Sequence, residues 1–326
     1  MPNAWLCDKL ACLSADEISR IMVPDQFTRR KFLQTASALF AGSIGISSFG
    51  FTKNPPLLSF STLGCPDWTF QQVVDFAAQH HYQGIEVRGI LRQLDLTKCK
   101  EFSKQNKTAT LKLMEDNGLH FTDLGSSCTL HFADPQERKK NLDDGKRFID
   151  LAQDFNCPYI RVFPNNFPKD QEKNATMDLI AKGLLELADY AKGSNVGVLI
   201  ESHGDLLWVD DLEKIMKDVE HARVGMVWDV TNMWIKTRES PTLAYERLKK
   251  YIYHTHIKDA KLVDGKIRYM LLGQGEVPIF EAIDVLANGG YQGYYCFEWE
   301  KYWHPEIEAP ELAIEDYAKV MIKHFQ

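Results

Sequence analysis

Eight short apolar segments recur along the chain, and most are followed by a longer segment with helical periodicity. The apolar segments are residues 57–63, 84–87, 120–124, 158–163, 196–200, 224–228, 252–257 and 293–297. Their length and their Val, Ile, Leu, Phe and Tyr content are typical of fully buried parallel strands. Between them, segments such as Ala175 to Ala191 carry an apolar stripe at helical spacing. This alternation predicts an α/β fold with a single closed (β/α)8 barrel, because a doubly wound sheet usually has fewer strands.

Residues 28–51 are arranged as in an export signal, with a basic stretch followed by an apolar run. Residues 28–34, Thr-Arg-Arg-Lys-Phe-Leu-Gln, precede an uncharged run of small and apolar residues that extends to Phe51. This segment resembles a twin-arginine export signal. We therefore expect residues 1–56 to be a signal and linker, and residues 57–326 to be the barrel. The resemblance implies the twin-arginine export machinery as a partner and a location in the periplasm or cell envelope. A buried core helix is the alternative interpretation.

Composition excludes several classes of protein. The formal net charge is -7, with 38 Lys and Arg against 45 Asp and Glu, which argues against a surface built to neutralise nucleic-acid phosphates. The 7 cysteines are scattered and none forms a CxxC pair, so a disulfide scaffold or a cysteine-based zinc site is not expected.

Four potential metal ligands lie at the ends of four consecutive predicted strands. They are Glu201, Asp229, His256 and Glu298. In a barrel of this type the active site lies at the carboxyl ends of the strands, so these side chains are expected to converge. Three carboxylates and one imidazole favour a divalent, fairly hard cation, and Mn²⁺, Mg²⁺, Co²⁺ and Zn²⁺ all fit.

The residues around these ligands carry a family resemblance. The segments are Ile-Glu-Ser-His at 200–203, Trp-Asp-Val-Thr-Asn at 228–232, His-Thr-His-Ile-Lys-Asp at 254–259, Leu-Gly-Gln-Gly-Glu at 272–276 and Phe-Glu-Trp-Glu at 297–300. Together they resemble the xylose isomerase-like barrel superfamily, and within it the sugar phosphate isomerase/epimerase group that includes the ketose 3-epimerases. The resemblance implies one cation, most commonly Mn²⁺, held by the four ligands. It also implies that Glu201 and Glu298 are the catalytic pair, acting on a carbohydrate.

The implied reaction is the isomerisation or epimerisation of a sugar, by proton transfer next to a metal-polarised carbonyl through an enediolate. A metal-dependent lyase or dehydratase acting on a 3-keto sugar, keto-glycoside or cyclitol is the alternative, because the same proton abstraction permits β-elimination. A nuclease resembling endonuclease IV and a non-catalytic carbohydrate-binding barrel are weaker alternatives. Homo-oligomer formation is left open.

Three positions depart from the epimerase pattern, which leaves the substrate unassigned. Asn232 replaces a histidine, Leu262 replaces a substrate-binding arginine, and Leu207 replaces a glutamate. Residues 273–275, between a predicted hairpin and a helix, are too short to form a phosphate-binding loop. The expected substrate contacts are therefore drawn from polar and aromatic residues near the strand ends. They are His203, Lys258, Glu86, Arg88, Asn232, Trp68 and Trp303, with His131, Arg161 and Asn165 as further candidates.

Overall fold

Eight parallel strands close into a barrel in the computed structural model, which describes residues 55–326. The strands are β1 Leu58–Ser61, β2 Gly84–Val87, β3 His120–Thr129, β4 Tyr159–Phe163, β5 Gly197–Glu201, β6 Val224–Asp229, β7 Ile252–Ile257 and β10 Tyr295–Phe297. Each pairs in parallel with its neighbour in this order, and β10 closes the ring against β1. An antiparallel hairpin, β8 Asp259–Val263 and β9 Lys266–Met270, is inserted after β7. The predicted (β/α)8 fold is confirmed.

Helices follow the strands. They are α1 Phe70–Gln79, α2 Lys107–Asp116, α3 Pro135–Asp154, α4 Lys173–Tyr190, α5 Val209–Val219, α6 Val230–Thr237, α7 Pro241–Leu248, α8 Ile279–Asn288 and α9 Pro310–Phe325. Local sequence explains several starts: Thr69 and Gln72 form a capping box on α1, and Asp134 accepts two backbone N–H groups ahead of Pro135 on α3. Apolar periodicity predicts this helix from Lys139, four residues after its start at Pro135, because its first turn is polar.

Alternation along the strands separates an apolar layer from a polar one. In β2, Ile85 and Val87 join the apolar core, whereas Glu86 between them points to the opposite side and is also fully buried. The apolar core therefore lies between the strands and the surrounding helices. The buried charged residues are concentrated inside the barrel.

Asp259 fixes the connection between the hairpin and α8. Its carboxylate accepts hydrogen bonds from the backbone N–H groups of Ala260, Gly273 and Gly275 at 2.8–2.9 Å. A Cβ atom at position 275 would lie 2.0 Å from an Asp259 oxygen, so only glycine allows this approach. The hairpin is thereby held over the carboxyl end of β7, where Tyr269 faces the ammonium of Lys258 at 5.9 Å.

The predicted export signal and linker, residues 1–56, fall almost wholly outside the described residues. Export, the boundary at residue 56 and the cellular location therefore stay predictions. In residues 55–326, every helix is too short or too polar to cross a bilayer.

The close packing of β2 gives a test of the fold. A Cβ atom at Gly84 would lie 2.3 Å from Thr122 Cγ2 and 2.7 Å from Tyr294 Cε1, whereas one at Gly193 meets nothing within 4 Å. We expect Gly84→Ala to lower the free energy of unfolding by about 1–3 kcal/mol. The control Gly193→Ala should change it by less than about 0.5 kcal/mol. Urea unfolding measures both, and equal stability of the two variants would contradict this packing.

Candidate metal centre

Glu201, Asp229, His256 and Glu298 converge inside the barrel mouth. One ligand atom from each lies within 4.8 Å of those of the other three, and all four residues are buried. His256 Nδ1 lies 3.2 Å from Glu298 Oε2. Strand register produces this arrangement, because His256 of β7 stands opposite Asp229 of β6 and opposite Cys296 of β10. The four residues singled out in the sequence therefore share one site.

Glu86 lies beneath His256. A single carboxylate oxygen, Glu86 Oε2, is 2.9 Å from His256 Nε2 and 3.0 Å from His254 Nε2. Burial opposes ionisation of Glu86, but His256 and His254 hold its pKa well below the ordinary value. An ionised carboxylate only accepts hydrogen bonds, so both Nε2 atoms donate. Burial lowers the pKa of His256, but Glu298, Glu86 and Glu201 together raise it well above the ordinary value. When the His256 ring is neutral, the lone pair is on Nδ1, the atom that faces the other three residues.

Lys258 lies on the opposite side of the four residues from Glu86. Its ammonium is 1% exposed and contacts three carboxylates: Asp229 Oδ2 at 2.7 Å, Glu300 Oε1 at 2.6 Å, and Glu298 Oε2. Burial disfavours the charged form, but these carboxylates raise the pKa of Lys258 well above its ordinary value. Burial also raises the pKa of Asp229 to about 7, against the lowering effect of Lys258.

Arg161, a residue of β4, stabilises the charged form of Glu201. Its Nε atom lies 3.1 Å from Glu201 Oε2, and its Nη1 donates to the Ser126 carbonyl at 3.0 Å. The guanidinium also stacks on the Phe163 ring at 3.8 Å. Burial favours the neutral form of Glu201, yet Arg161 and His256 keep its pKa below the ordinary value.

The donor set fits a divalent cation. Three buried atoms of the cluster form no hydrogen bond of regular geometry: Glu201 Oε2, Asp229 Oδ2 and His256 Nδ1. Two of them are close to a cation of the chain, Glu201 Oε2 to Arg161 Nε at 3.1 Å and Asp229 Oδ2 to Lys258 Nζ at 2.7 Å. Buried polar atoms are nearly always hydrogen-bonded, so lone pairs of this kind are available to a ligand. Carboxylate oxygens and one imidazole nitrogen suit Mn²⁺, Zn²⁺ and Mg²⁺.

The residues expected to contact substrate occupy different depths. His203 is half-buried beside the Phe163 ring at 4.7 Å, and its Nδ1 forms no hydrogen bond. The Asn232 backbone N–H donates to Asp229 Oδ1 at 2.8 Å. Trp68 packs on Phe76 at 4.9 Å, and Trp303 is 56% exposed beside Tyr302.

Glu86 and Arg88, both expected to contact substrate, are not paired with each other: Glu86 lies under His256, and Arg88 contacts Gly125 and Ser127. Their proposed roles in substrate binding stay predictions.

Three buried residues of the site were missed in the sequence: Glu300, His254 and Asp123. Glu300 follows Glu298 by two residues, and His254 precedes His256 by two. The two-residue period of a strand was therefore the available signal. Asp123 stands opposite Glu86 in the register between β2 and β3. Both of its oxygens lack a hydrogen bond, and burial raises its pKa well above the ordinary value.

Comparison with known proteins identifies the family. The model of the xylose isomerase-like TIM barrel family matches residues 74–324. The chain belongs to this family. No curated protein matches the sequence significantly.

Solved structures share the fold at low sequence identity. The IOLI protein, described with a bound zinc atom, is 15% identical with a TM-score of 0.70 and covers 82% of this chain and 97% of its own. The probable 3-DHS dehydratase AsbF from Bacillus anthracis is 17% identical with a TM-score of 0.64, covering 81% and 98%. A D-tagatose 3-epimerase-like protein is 16% identical with a TM-score of 0.64, covering 82% and 98%. These likenesses show the barrel alone.

The contact between Glu86 and His256 predicts that substituting Glu86 lowers the affinity for the cation without unfolding the protein. We expect Glu86→Ala to weaken Mn²⁺ and Zn²⁺ binding by about 10–100-fold, because the orientation and tautomer of His256 are no longer fixed. Glu86→Gln keeps an acceptor oxygen and should lose less. Competition with a chromophoric chelator measures the affinities.

Asp123→Asn is the matched control for Glu86→Ala, since Asp123 is an equally buried carboxyl group on the next strand that forms no hydrogen bond with His256. Thermal unfolding of the metal-free variants separates loss of affinity from loss of fold. Wild-type affinity in a folded Glu86→Ala protein would contradict the orienting role.

Proposed function

We propose that the protein is a metal-dependent sugar isomerase or epimerase. The observation that supports this most is the convergence of Glu201, Asp229, His256 and Glu298, whose candidate ligand atoms lie within 4.8 Å of one another in a buried space at the carboxyl ends of the strands. We propose one divalent cation at these residues, with Mn²⁺ preferred and Zn²⁺ or Mg²⁺ as alternatives. Residues 28–34 support export by the twin-arginine machinery and action in the cell envelope.

The proposed reaction transfers a proton at the carbon next to a carbonyl. A bound divalent cation supplies Lewis acidity toward the carbonyl oxygen and the adjacent hydroxyl of an open-chain sugar. Glu201, which ends β5, and Glu298, which follows β10, are the proposed pair of proton carriers. One carboxylate removes the proton to give an enediolate. A proton then returns from the opposite face, giving an epimer, or to the neighbouring carbon, giving an isomer.

Lys258 and Glu300 complete the proposed chemistry. The ammonium of Lys258 is held charged by its carboxylate neighbours, so it donates hydrogen bonds and stabilises negative charge on an enediolate oxygen. Burial raises the pKa of Glu300, which lies 2.6 Å from Lys258 Nζ. Glu300 is therefore suited to hold a proton beside the ammonium.

A lyase or dehydratase acting on a 3-keto sugar or cyclitol is the second candidate. The same base next to the same carbonyl also permits β-elimination, if a hydroxyl leaves from the following carbon. Similarity to the probable 3-DHS dehydratase supports this alternative, and similarity to the D-tagatose 3-epimerase-like protein supports the first.

Removing two ligands tests the proposed cation site. Glu201→Gln combined with His256→Ala should abolish bound metal, measured by elemental analysis after loading with Mn²⁺. The control is Glu315→Gln with His80→Ala, a Glu–His pair at 4.0 Å on the outer wall, which should retain full stoichiometry. Full stoichiometry in the first double variant would contradict the site.

Solvent deuterium exchange tests the reaction. Mn²⁺-loaded protein should incorporate deuterium from D₂O into a ketose of a suitable panel, and Glu298→Gln should slow the exchange by about 10²–10⁴-fold. Metal content is measured for the same samples. A product absorbing in the near ultraviolet, formed from 3-keto glycosides, would select the lyase. Neither exchange nor elimination across the panel would contradict the proposal.

A further inference from the structure

Arg88 is a buried arginine without a counter-ion. Its side chain is 6% exposed, and its guanidinium donates to the Gly125 carbonyl at 3.4 Å and to Ser127 Oγ at 3.0 Å. In the described part of the chain, no carboxylate oxygen lies within 4.0 Å of this guanidinium, whereas Arg161 is paired with Glu201. Arginine is rarely buried unless its charge is paired. The Arg88 guanidinium can therefore still form an ion pair with an anion.

Gly125 allows Arg88 and Arg161 to lie side by side. A Cβ atom at this position would stand 2.8 Å from Arg161 Nη2 and 2.8 Å from Arg88 Cδ, so a larger residue would displace both side chains. Placing two like charges together is unfavourable. Burial, and then the charge of Arg161, lower the pKa of Arg88 to about 10. The two guanidinium groups form a local positive region in a barrel mouth that is otherwise rich in carboxylates.

The carboxylates nearest to Arg88 are already engaged elsewhere. Glu298, Glu201 and Glu86 exert the strongest attraction on it. Glu86 accepts hydrogen bonds from two histidines, and Glu201 and Glu298 are proposed ligands of the cation. When these charges are neutralised, Arg88 is left as the uncompensated cation. Its contact with Ser127, an exposed residue, places the guanidinium toward the open side of the mouth.

We infer that Arg88 binds a carboxylate of the substrate, so that the proposed centre acts on an acidic sugar rather than a neutral one. This inference rests on the proposed function. A carboxylate matches the planar fork of a guanidinium with two parallel hydrogen bonds. It also supplies a single negative charge, as one unpaired arginine requires. A phosphate group fits the same fork, but its charge of about -1.5 to -2 exceeds the single unpaired charge of Arg88.

Matched pairs of ligands test the inference. Each pair differs only by a carboxylate in place of a hydroxymethyl group: D-fructuronate and D-fructose, D-tagaturonate and D-tagatose, hydroxypyruvate and dihydroxyacetone. Calorimetry with the Mn²⁺-loaded full chain gives the two affinities of each pair. We expect at least one acid to bind 10-fold or more tightly than its neutral partner. Arg88→Gln should bring that ratio close to one, and Arg88→Lys should restore part of it.

Arg147→Gln is the control, because Arg147 is half-exposed and paired with Asp144 on α3. It should keep the wild-type ratio, and circular dichroism verifies the fold of each variant. Equal affinity within every pair, or an acid preference that survives Arg88→Gln, overturns the inference. Tighter binding of D-fructose 6-phosphate than of D-fructuronate overturns the carboxylate assignment.

The experiments distinguish a failure of the proposed function from a failure of the inference about Arg88. Deuterium exchange into neutral ketoses without any acid preference leaves the proposed function standing and removes the inference. An acid preference that depends on Arg88, without exchange or elimination, supports the inference and removes the proposed function.

Discussion

The imidazole of His256 is the group on which the centre depends, because charged side chains contact both of its nitrogen atoms. Glu86 accepts a hydrogen bond from Nε2, and Glu201, Asp229 and Glu298 face Nδ1 at 3.7, 3.9 and 3.2 Å. This arrangement exists only if β7 keeps its register between β6 and β10. A shift of β7 by one residue would exchange the inward and outward faces of the strand and remove His256 from the barrel interior. Barrel closure and the proposed chemistry therefore depend on the same strand pairing.

Sequence patterns predicted the eight strands and the convergence of the four strand-end residues, because both follow from local alternation and from one rule about where barrel strands end. Helix α6 follows β6 without a loop, because Asp229 has two roles: it ends β6 and its side chain caps the next helix. Glu86 was expected at the mouth, yet it lies below His256. The depth of a side chain depends on the stagger between neighbouring strands, which no single segment encodes. Glu86 and Arg88 do not pair because they lie two residues apart along one strand segment, and a strand rises about 3.3 Å per residue, so their side chains lie at different depths in the barrel.

The two-residue period of the strands arranges the site in layers. His254 and His256 of β7, with Lys258 just beyond it, lie on one side of the strand at increasing height in the barrel. Glu86 of β2 and Arg88 just beyond it are arranged in the same way. The lower layer fixes the imidazole, the middle layer carries the proposed ligands, and the upper layer faces the mouth. We propose that substrate choice belongs to the upper layer, which includes Lys258 and Arg88. The hydrogen bonds from His254 and His256 to Glu86 in the lower layer involve no residue of the upper layer.

Lys258 connects the proposed cation to the chemistry of the substrate. Its ammonium lies 2.7 Å from Asp229 Oδ2 and also contacts Glu298 Oε2, and both carboxylate groups belong to the proposed cation site. Buried charges are costly unless they are paired, so Lys258 and Arg161 stabilise the carboxylates by partly neutralising them. A cation bound to Asp229 and Glu298 would compete with the ammonium for the same electron pairs. N–H groups of the ammonium would then be free to donate beside Glu300, where we propose that an enediolate oxygen accepts hydrogen bonds. Cation binding would thus convert Lys258 from a partner of the ligands into a donor to the substrate.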